Sequence, residues 1–159
     1  VADIPVDGFT RVFWVSAISN IALPTTTELN AGLSLTSTMT PDGLMNFQPD
    51  TADVDNSSLA STFDTVDVGR DSFKNTALRL KKQTATDTIY NTMTRGTAGY
   101  VVVRRDVDQS TAWTTGQAIE VYPAKCGQTR RLDPAANEET KYEVPIKITS
   151  QPNLRAAVA

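Results

Sequence analysis

Lys141–Ala159 reads KYEVPIKITSQPNLRAAVA. Tyr142, Val144, Ile146 and Ile148 alternate with the polar residues Glu143, Lys147 and Thr149. That period of two predicts a strand with one buried face. Beyond Pro152 comes a short tail in which Leu154 and Val158 stand among alanines. A chain end frays unless something holds it, so the tail predicts a docking surface.

Working outward, the neighbouring segments are also strand-like. Gly116–Pro123 (GQAIEVYP) places Ile119 and Val121 on one face, and Gly99–Arg105 (GYVVVRR) is an apolar run with charge at its end. Arg11–Ile18 (RVFWVSAI) is a second rich apolar run, broken by Pro24 and Thr25–Thr27, and Leu29, Leu33 and Leu35 suggest a strand near Gly32–Ser37. Residues from Leu59 to Val68 alternate without deciding which face is inside. Gly69–Phe73 (GRDSF) has turn chemistry, and Asn75–Lys82 alternates Leu78 and Leu80 with Arg79 and Lys81. Together these predict a β-hairpin. The segment TATDTIYNTMTRG changes period: Ile89, Tyr90 and Met93 form one helical stripe. Thr86 or Asp87 is placed to cap it and Gly96 to end it in the left-handed conformation. Gly127–Asn137 is polar and loop-like. Thr38–Ser58 (TMTPDGLMNFQPDTADVDNSS) is weakly patterned, with Pro41, Gly43 and Pro49, and reads as a long loop. The sum is about seven strands and one helix in a single domain. This predicts a mainly β fold, an antiparallel sandwich or barrel with one short flanking α-helix.

Composition narrows the function. The chain has 159 residues and no histidine. That excludes Ser-His-Asp and Cys-His catalytic arrangements and histidine-based metal sites, and it disfavours an enzyme. Cys126 is the single cysteine, so no intrachain disulfide is possible. Lys125 and Arg130 nearby would lower its pKa, but with no base beside it a bystander thiol is the reading. No apolar run approaches the ~18 residues that span a bilayer. VADIPVDGF at the start shows no basic region followed by an apolar stretch, so no leader is expected there. The net charge of −3 is unevenly spread: Val1–Gly69 carries nine acids against one base, and Arg70–Ala159 nine against fourteen. Opposite-signed halves suit a molecule that meets copies of itself head to tail, and equally a solvated surface with chance clustering.

Other candidates weigh less. Asp53, Asp55, Ser57 and Asp64 match positions one, three, five and twelve of a calcium loop, but Ser58 replaces the glycine at six and no glutamate closes it. A solvated acidic loop is the plainer reading. Trp14 and Trp113 lie in strand contexts that suit packing. The Arg104–Arg105 and Arg130–Arg131 pairs lack an aromatic-studded basic stripe, which disfavours a specific nucleic-acid binder. No glycine-rich phosphate loop is present, and no cofactor is expected.

Three blocks in order carry a resemblance: Phe63–Asp106, Gly116–Ile148 and Thr149–Ala159, with ELNAGLSLT (Glu28–Thr36) before them. The chain resembles the major tail tube proteins of long non-contractile-tailed bacteriophages, especially those infecting actinobacteria. The resemblance implies a β-sandwich related to the tubes of contractile tails and type VI secretion. It implies hexameric rings that stack into a hollow tail tube in the virion, assembled in the host cytoplasm. A tape measure protein would fill the lumen, other tail proteins would close the ends, and double-stranded DNA would pass without specific binding. In that frame residues 38–58 are the stacking loop, with Leu44, Met45 and Phe47 as anchors in the next ring and Asp53 and Asp55 beside them. Asp64, Asp67 and Glu120 are candidates for the bore. Residues 150–159 form an arm whose Leu154 and Val158 dock on a neighbouring subunit. The alternative is a β-sandwich binding module, such as a capsid decoration or host-adhesion protein. A histidine-free hydrolase using paired carboxylates finds no convincing pair.

Overall fold

The computed structural model describes residues 1–84 and 86–159. Among the described residues eleven strands run in the order β1 (Thr10–Val15), β2 (Leu33–Ser34), β3 (Met39–Met45), β4 (Asp50–Asp55), β5 (Val66–Ser72), β6 (Ala77–Lys81), β7 (Ala98–Arg105), β8 (Ala118–Cys126), β9 (Arg130–Arg131), β10 (Lys141–Ile148) and β11 (Asn153–Ala157). Two five-residue helices interrupt them, α1 (Thr26–Asn30) and α2 (Thr88–Thr92). Nine strands form one antiparallel sheet in the order β2-β1-β7-β8-β10-β6-β3, with β11 beside β8 and β9 beside β10. β4 and β5 form a separate two-stranded sheet.

The large sheet curls because β10 changes partner along its length. Its Ile146–Ile148 end pairs with Cys126–Ala124 of β8, and its Lys141–Pro145 end pairs with Lys81–Ala77 of β6. Tyr142, Val144 and Ile146 point inward, as the alternation predicts, and share a core with Trp14, Leu78, Leu80, Val101, Val103 and Tyr122. A second core covers the other face of β1, β7 and β8, built from Phe13, Val15, Leu29, Val102, Trp113, Ile119, Val121, Ala156 and Val158. Strands buried on both faces lose polar alternation and read as continuous apolar runs. This is why RVFWV and YVVV carry no polar residue until their arginines. Close packing also fixes Gly99: an added Cβ would lie 2.6 Å from Cζ2 of Trp14.

The helices differ from expectation in number. α2 forms where the period changes, and Asp87 rather than Thr86 caps it, its side chain accepting from the Tyr90 amide. The helix ends at Met93, earlier than Gly96, whose φ of +86° instead serves the turn into β7. Ala85, inside that segment, lies outside the described residues. α1 is additional. Thr25 and Glu28 make a reciprocal capping box at its start, the side chain of each accepting from the other's backbone amide.

Three further expectations are corrected. The 38–58 stretch is not a loop: it holds the whole of β3 and β4. The segments 59–68 and 75–82 do not pair as a hairpin, since β5 pairs with β4 and β6 pairs with β3 and β10. Gly69–Phe73 is not a turn: Gly69 lies within β5 at a bulge, where an added Cβ would sit 2.7 Å from the Ala52 carbonyl oxygen. Glycine there permits the close approach that a bulge requires.

Candidate functional site

The four strands β3 to β6 form one long antiparallel arm with a kink in it. Its base, β3 on β6, belongs to the body, with Leu44 opposite Leu78 and Met45 opposite Ala77. Its outer part, β4 on β5, makes its substantial contacts only within itself. At the kink, Asn46 and Asn75 both take left-handed backbone angles, φ 59° and 56°. Asparagine tolerates that region better than most residues. The Asn46 side-chain Nδ2 donates to the Asn75 backbone carbonyl at 2.9 Å, and the Thr76 hydroxyl donates to the Asn46 backbone carbonyl at 3.1 Å. Both strands therefore turn together.

Two phenylalanines lock the kink to the body. Phe47 and Phe73 each meet the ring of Tyr122 edge-on, at centroid distances of 5.1 and 5.8 Å. The Tyr122 hydroxyl has one hydrogen to share between two acceptors, Glu120 at 2.9 Å and the Phe47 carbonyl at 3.3 Å. Burial, and then the Glu120 charge, raise the Tyr122 pKa, so the phenol keeps its proton as donor. The expected role of Phe47 is corrected on this point: it is only 4% exposed and anchors the arm to its own subunit. Leu44 and Met45 are half-buried, and Leu44 packs on the same core.

Beyond the kink, the ribbon is exposed on both faces. In register, Asp53 faces Val68 and Asp55 faces Val66, so these four side chains share one face. Val54 and Asp67 share the other. Val68 is 76% exposed and Phe63, in the connecting loop, 77%. From Asp50 to Ser72 six aspartates stand against Arg70 alone. The loop is tied internally, with the Thr65 amide donating to the Ser57 hydroxyl at 2.8 Å and the Thr65 hydroxyl to Asn56 Oδ1 at 2.6 Å. The Ser57 amide and hydroxyl hold the Asp55 carboxyl below its ordinary pKa. Among the described residues no group of three or more potential metal ligands is gathered, and Asp64 sits in the loop rather than across from Asp53.

A two-stranded ribbon is at best marginally stable in water. Exposed apolar side chains rimmed by charge mark an interaction surface. The arrangement offers no catalytic machinery and a good deal of surface to be covered. Residues 1–159 match the family described as phage tail tube protein. The chain belongs to that family. Its fold is similar to a chain in the cryo-EM structure of the anti-feeding prophage baseplate, determined with 6-fold symmetrisation. That likeness has a TM-score of 0.64 at 8% identity and covers 96% of each chain. No curated protein sequence matches it. Tail tube proteins are structural components of the virion tail rather than enzymes, and this one assembles with other tail proteins.

The remaining sequence candidates fall in different places. Asp64 and Asp67 ride on the ribbon, whereas Glu120 sits on β8, 3.2 Å from the Arg105 guanidinium, so the three are not brought together. The tail docks on its own subunit. β11 pairs with β8, the Ala157 and Ala159 amides donate to the Ala22 and Pro24 carbonyls, and Val158 is 2% exposed in the second core. Val158 is thus occupied within the chain, while Leu154 stays on the surface. Cys126 is buried, which pushes its thiol up to about 11 rather than down. Trp14 and Trp113 are packed in the two cores.

Arg104 is fully buried rather than free for phosphate. It donates to the Asp108 and Ala112 carbonyls and to Gln117 Oε1, and its guanidinium stacks on Trp113. Arg11, its cross-strand partner, also stacks on Trp113 and donates to the Thr111 carbonyl. The two arginines so hold the loop between β7 and β8 against the sheet. Sequence reasoning missed this pair and the capping box of α1. The second was visible as Thr25-x-x-Glu28.

Proposed function

We propose that the chain is the repeating subunit of a hollow tail tube of the long non-contractile type. Six copies would form a ring and rings would stack head to tail. The observation that carries this reading is the ribbon, an element of a tail tube protein whose apolar side chains the subunit itself leaves uncovered. A next ring would cover Val54, Phe63, Val66 and Val68, and full burial of each would contribute about 1.5–3 kcal/mol. Asp53 and Asp55 are part of the same stacking surface, with Leu44 and Met45 at its base.

The open ends of the nine-stranded sheet support lateral ring closure. β2 is only two residues long, and with Leu35 and Thr36 it covers β1 from Val12 to Trp14 but leaves the Thr10 end without a strand beside it, and β3 is the other terminal strand. Completing such edges with identical copies satisfies their backbone groups and prevents uncontrolled pairing. The 6-fold symmetrisation of the prophage baseplate is a precedent for six copies. A tube of this kind would be built in the host cytoplasm around a tape measure protein and would later pass double-stranded DNA. A carboxylate-bearing bore, to which Asp64, Asp67 and Glu120 are assigned, would repel phosphate and let DNA slide, whereas a basic bore would retain it.

Negative-stain imaging of concentrated protein tests the proposal. Rings or tubes are expected, and Val66→Asp with Val68→Asp should leave rings that do not stack. A subunit that stays monomeric at all concentrations, also with its tail-initiating partners, would refute the reading and favour a decoration or adhesion module.

A further inference from the structure

The ribbon needs a receiving surface, and the charges of the body single one out. Five cations on the curled sheet have carboxylate partners within the chain: Arg79 with Asp42, Lys81 with Glu139, Lys141 with Glu138, Arg130 with Glu143 and Arg105 with Glu120. Arg11, Arg104, Arg131 and Arg155 have none among the described residues, but Arg11 and Arg104 stack on Trp113, Arg131 lies opposite Tyr142 and Arg155 sits at the bulge of β11. Lys125 and Lys147 also have none among them. They lie directly opposite each other across β8 and β10 and are both exposed. Like charges placed opposite on one sheet face are destabilising, so this pair costs the isolated subunit stability. Their strands point Ala124, Cys126 and Ile146 into the core, which aims both lysines outward. The floor beside them is apolar. Ala98 pairs with Lys125 from β7 and is exposed, and Pro145 lies two residues before Lys147 and is half-buried.

We propose that this lysine face receives the ribbon of a second copy of the chain. The face of the ribbon that bears Asp53 and Asp55 bears Val66 and Val68 as well. Two acids about 6.6 Å apart along a strand meet two bases about 5 Å apart across strands, within reach of flexible lysine stems. The valines then cover Ala98 and Pro145. The contact supplies the counter-charge that this exposed, directly opposed pair lacks within the chain. It also makes the contact heterologous, ribbon to sheet, which propagates rather than closes. The inference rests on the tube reading above and specifies where the stack is made.

Charge exchange tests it. Lys125→Glu with Lys147→Glu, and separately Asp53→Lys with Asp55→Lys, should each lower the pelletable tube fraction about tenfold or more, because attraction becomes like-charge repulsion. The chain carrying all four substitutions should recover tubes. An unchanged urea midpoint in each variant shows that the subunit still folds. If the lysine variant builds tubes of wild-type length while Val66→Asp with Val68→Asp stops at rings, the ribbon stacks elsewhere and this inference falls while the tube reading stands. If the lysine variant loses only retention of a duplex DNA probe, the partner of the pair is phosphate and the inference is likewise overturned. If the unsubstituted protein forms neither rings nor tubes, the tube reading itself fails first.

Discussion

Replacing Val158 with alanine separates a tail held by its own subunit from a tail held by a neighbour. Val158 is 2% exposed and shares a core with Phe13, Trp113 and Ile119. Its backbone accepts from the Gly116 amide and donates to the Gln117 carbonyl, and alanine keeps both bonds. The substitution therefore removes two methyl groups and little else. At about 0.8 kcal/mol per buried carbon the transfer loss is about 1.6 kcal/mol. The cavity left in a core that relaxes only in part brings the total to about 2–3 kcal/mol. With a urea slope of about 2 kcal/mol per molar for a domain of this size, the midpoint should fall by about 1–1.5 M. Leu154→Ala is the control: that side chain is 36% exposed and should shift the midpoint by a few tenths of a molar at most. The measurement belongs in dilute solution, where the subunit is unassembled. An unchanged midpoint for Val158→Ala, with assembly lost on concentration, would refute the intramolecular account and return the tail to a neighbouring subunit.

Three further outcomes are expected. Arg104→Lys cannot reproduce the fork that serves Asp108, Ala112 and Gln117. It should cost about 1–3 kcal/mol and shift Trp113 emission to the red as the β7–β8 loop loosens, and unchanged emission and midpoint would remove the role given to the arginine. Gly99→Ala drives a methyl into the Trp14 ring and should cost about 1–3 kcal/mol in the same urea assay; an unchanged midpoint would mean that the ring shifts freely. Alkaline pH should destabilise the fold. The Cys126 thiol is raised from 9.0 to about 11 by burial, and Tyr122 and Tyr142 are raised from 10.0. A folded state that holds these protons more tightly than the unfolded one is stabilised below pH 9 and loses that contribution as pH climbs through 9–11 for the thiol and higher for the phenols. Cys126→Ser should flatten the first part of that decline, measured as urea midpoints from pH 7 to 11.

What the sequence made legible followed from burial. β1, β7, β8 and β10 each bury at least one whole face, so apolar runs or strict alternation announced them. α1 escaped because five residues offer little room for a helical stripe, and only Leu29 in it is buried. The arm was misread for two physical reasons. Gly69-Arg70-Asp71-Ser72 carries turn residues, yet its glycine answers a bulge. The true change of direction falls at Asn46 and Asn75, where single left-handed residues turn two strands without ending their pairing into the ribbon. Phe47 looked like a free anchor because nothing in its neighbourhood of Asn, Gln, Pro and Asp signalled that Tyr122, seventy-five residues on, would receive it.

The ambiguity of Val54, Val66 and Val68 has a different origin, and it bears on function. Period-two alternation identifies a strand by assuming that one face meets a core. On β4 and β5 neither face does. Valines occur on both, each opposite an aspartate, so every register of the pattern looked equally good. A strand pair kept in solution for its own sake would carry polar residues at those positions, because uncovered apolar surface invites aggregation. The aspartates supply the restraint on indiscriminate pairing and the valines supply the attraction. The restraint is selective only if the correct partner is basic. That is the condition met by Lys125 and Lys147, two exposed cations that stand opposite each other without a counter-charge in the body. The feature that made the ribbon unreadable from its own segment is thus the one that ties it to a surface elsewhere in the same sequence.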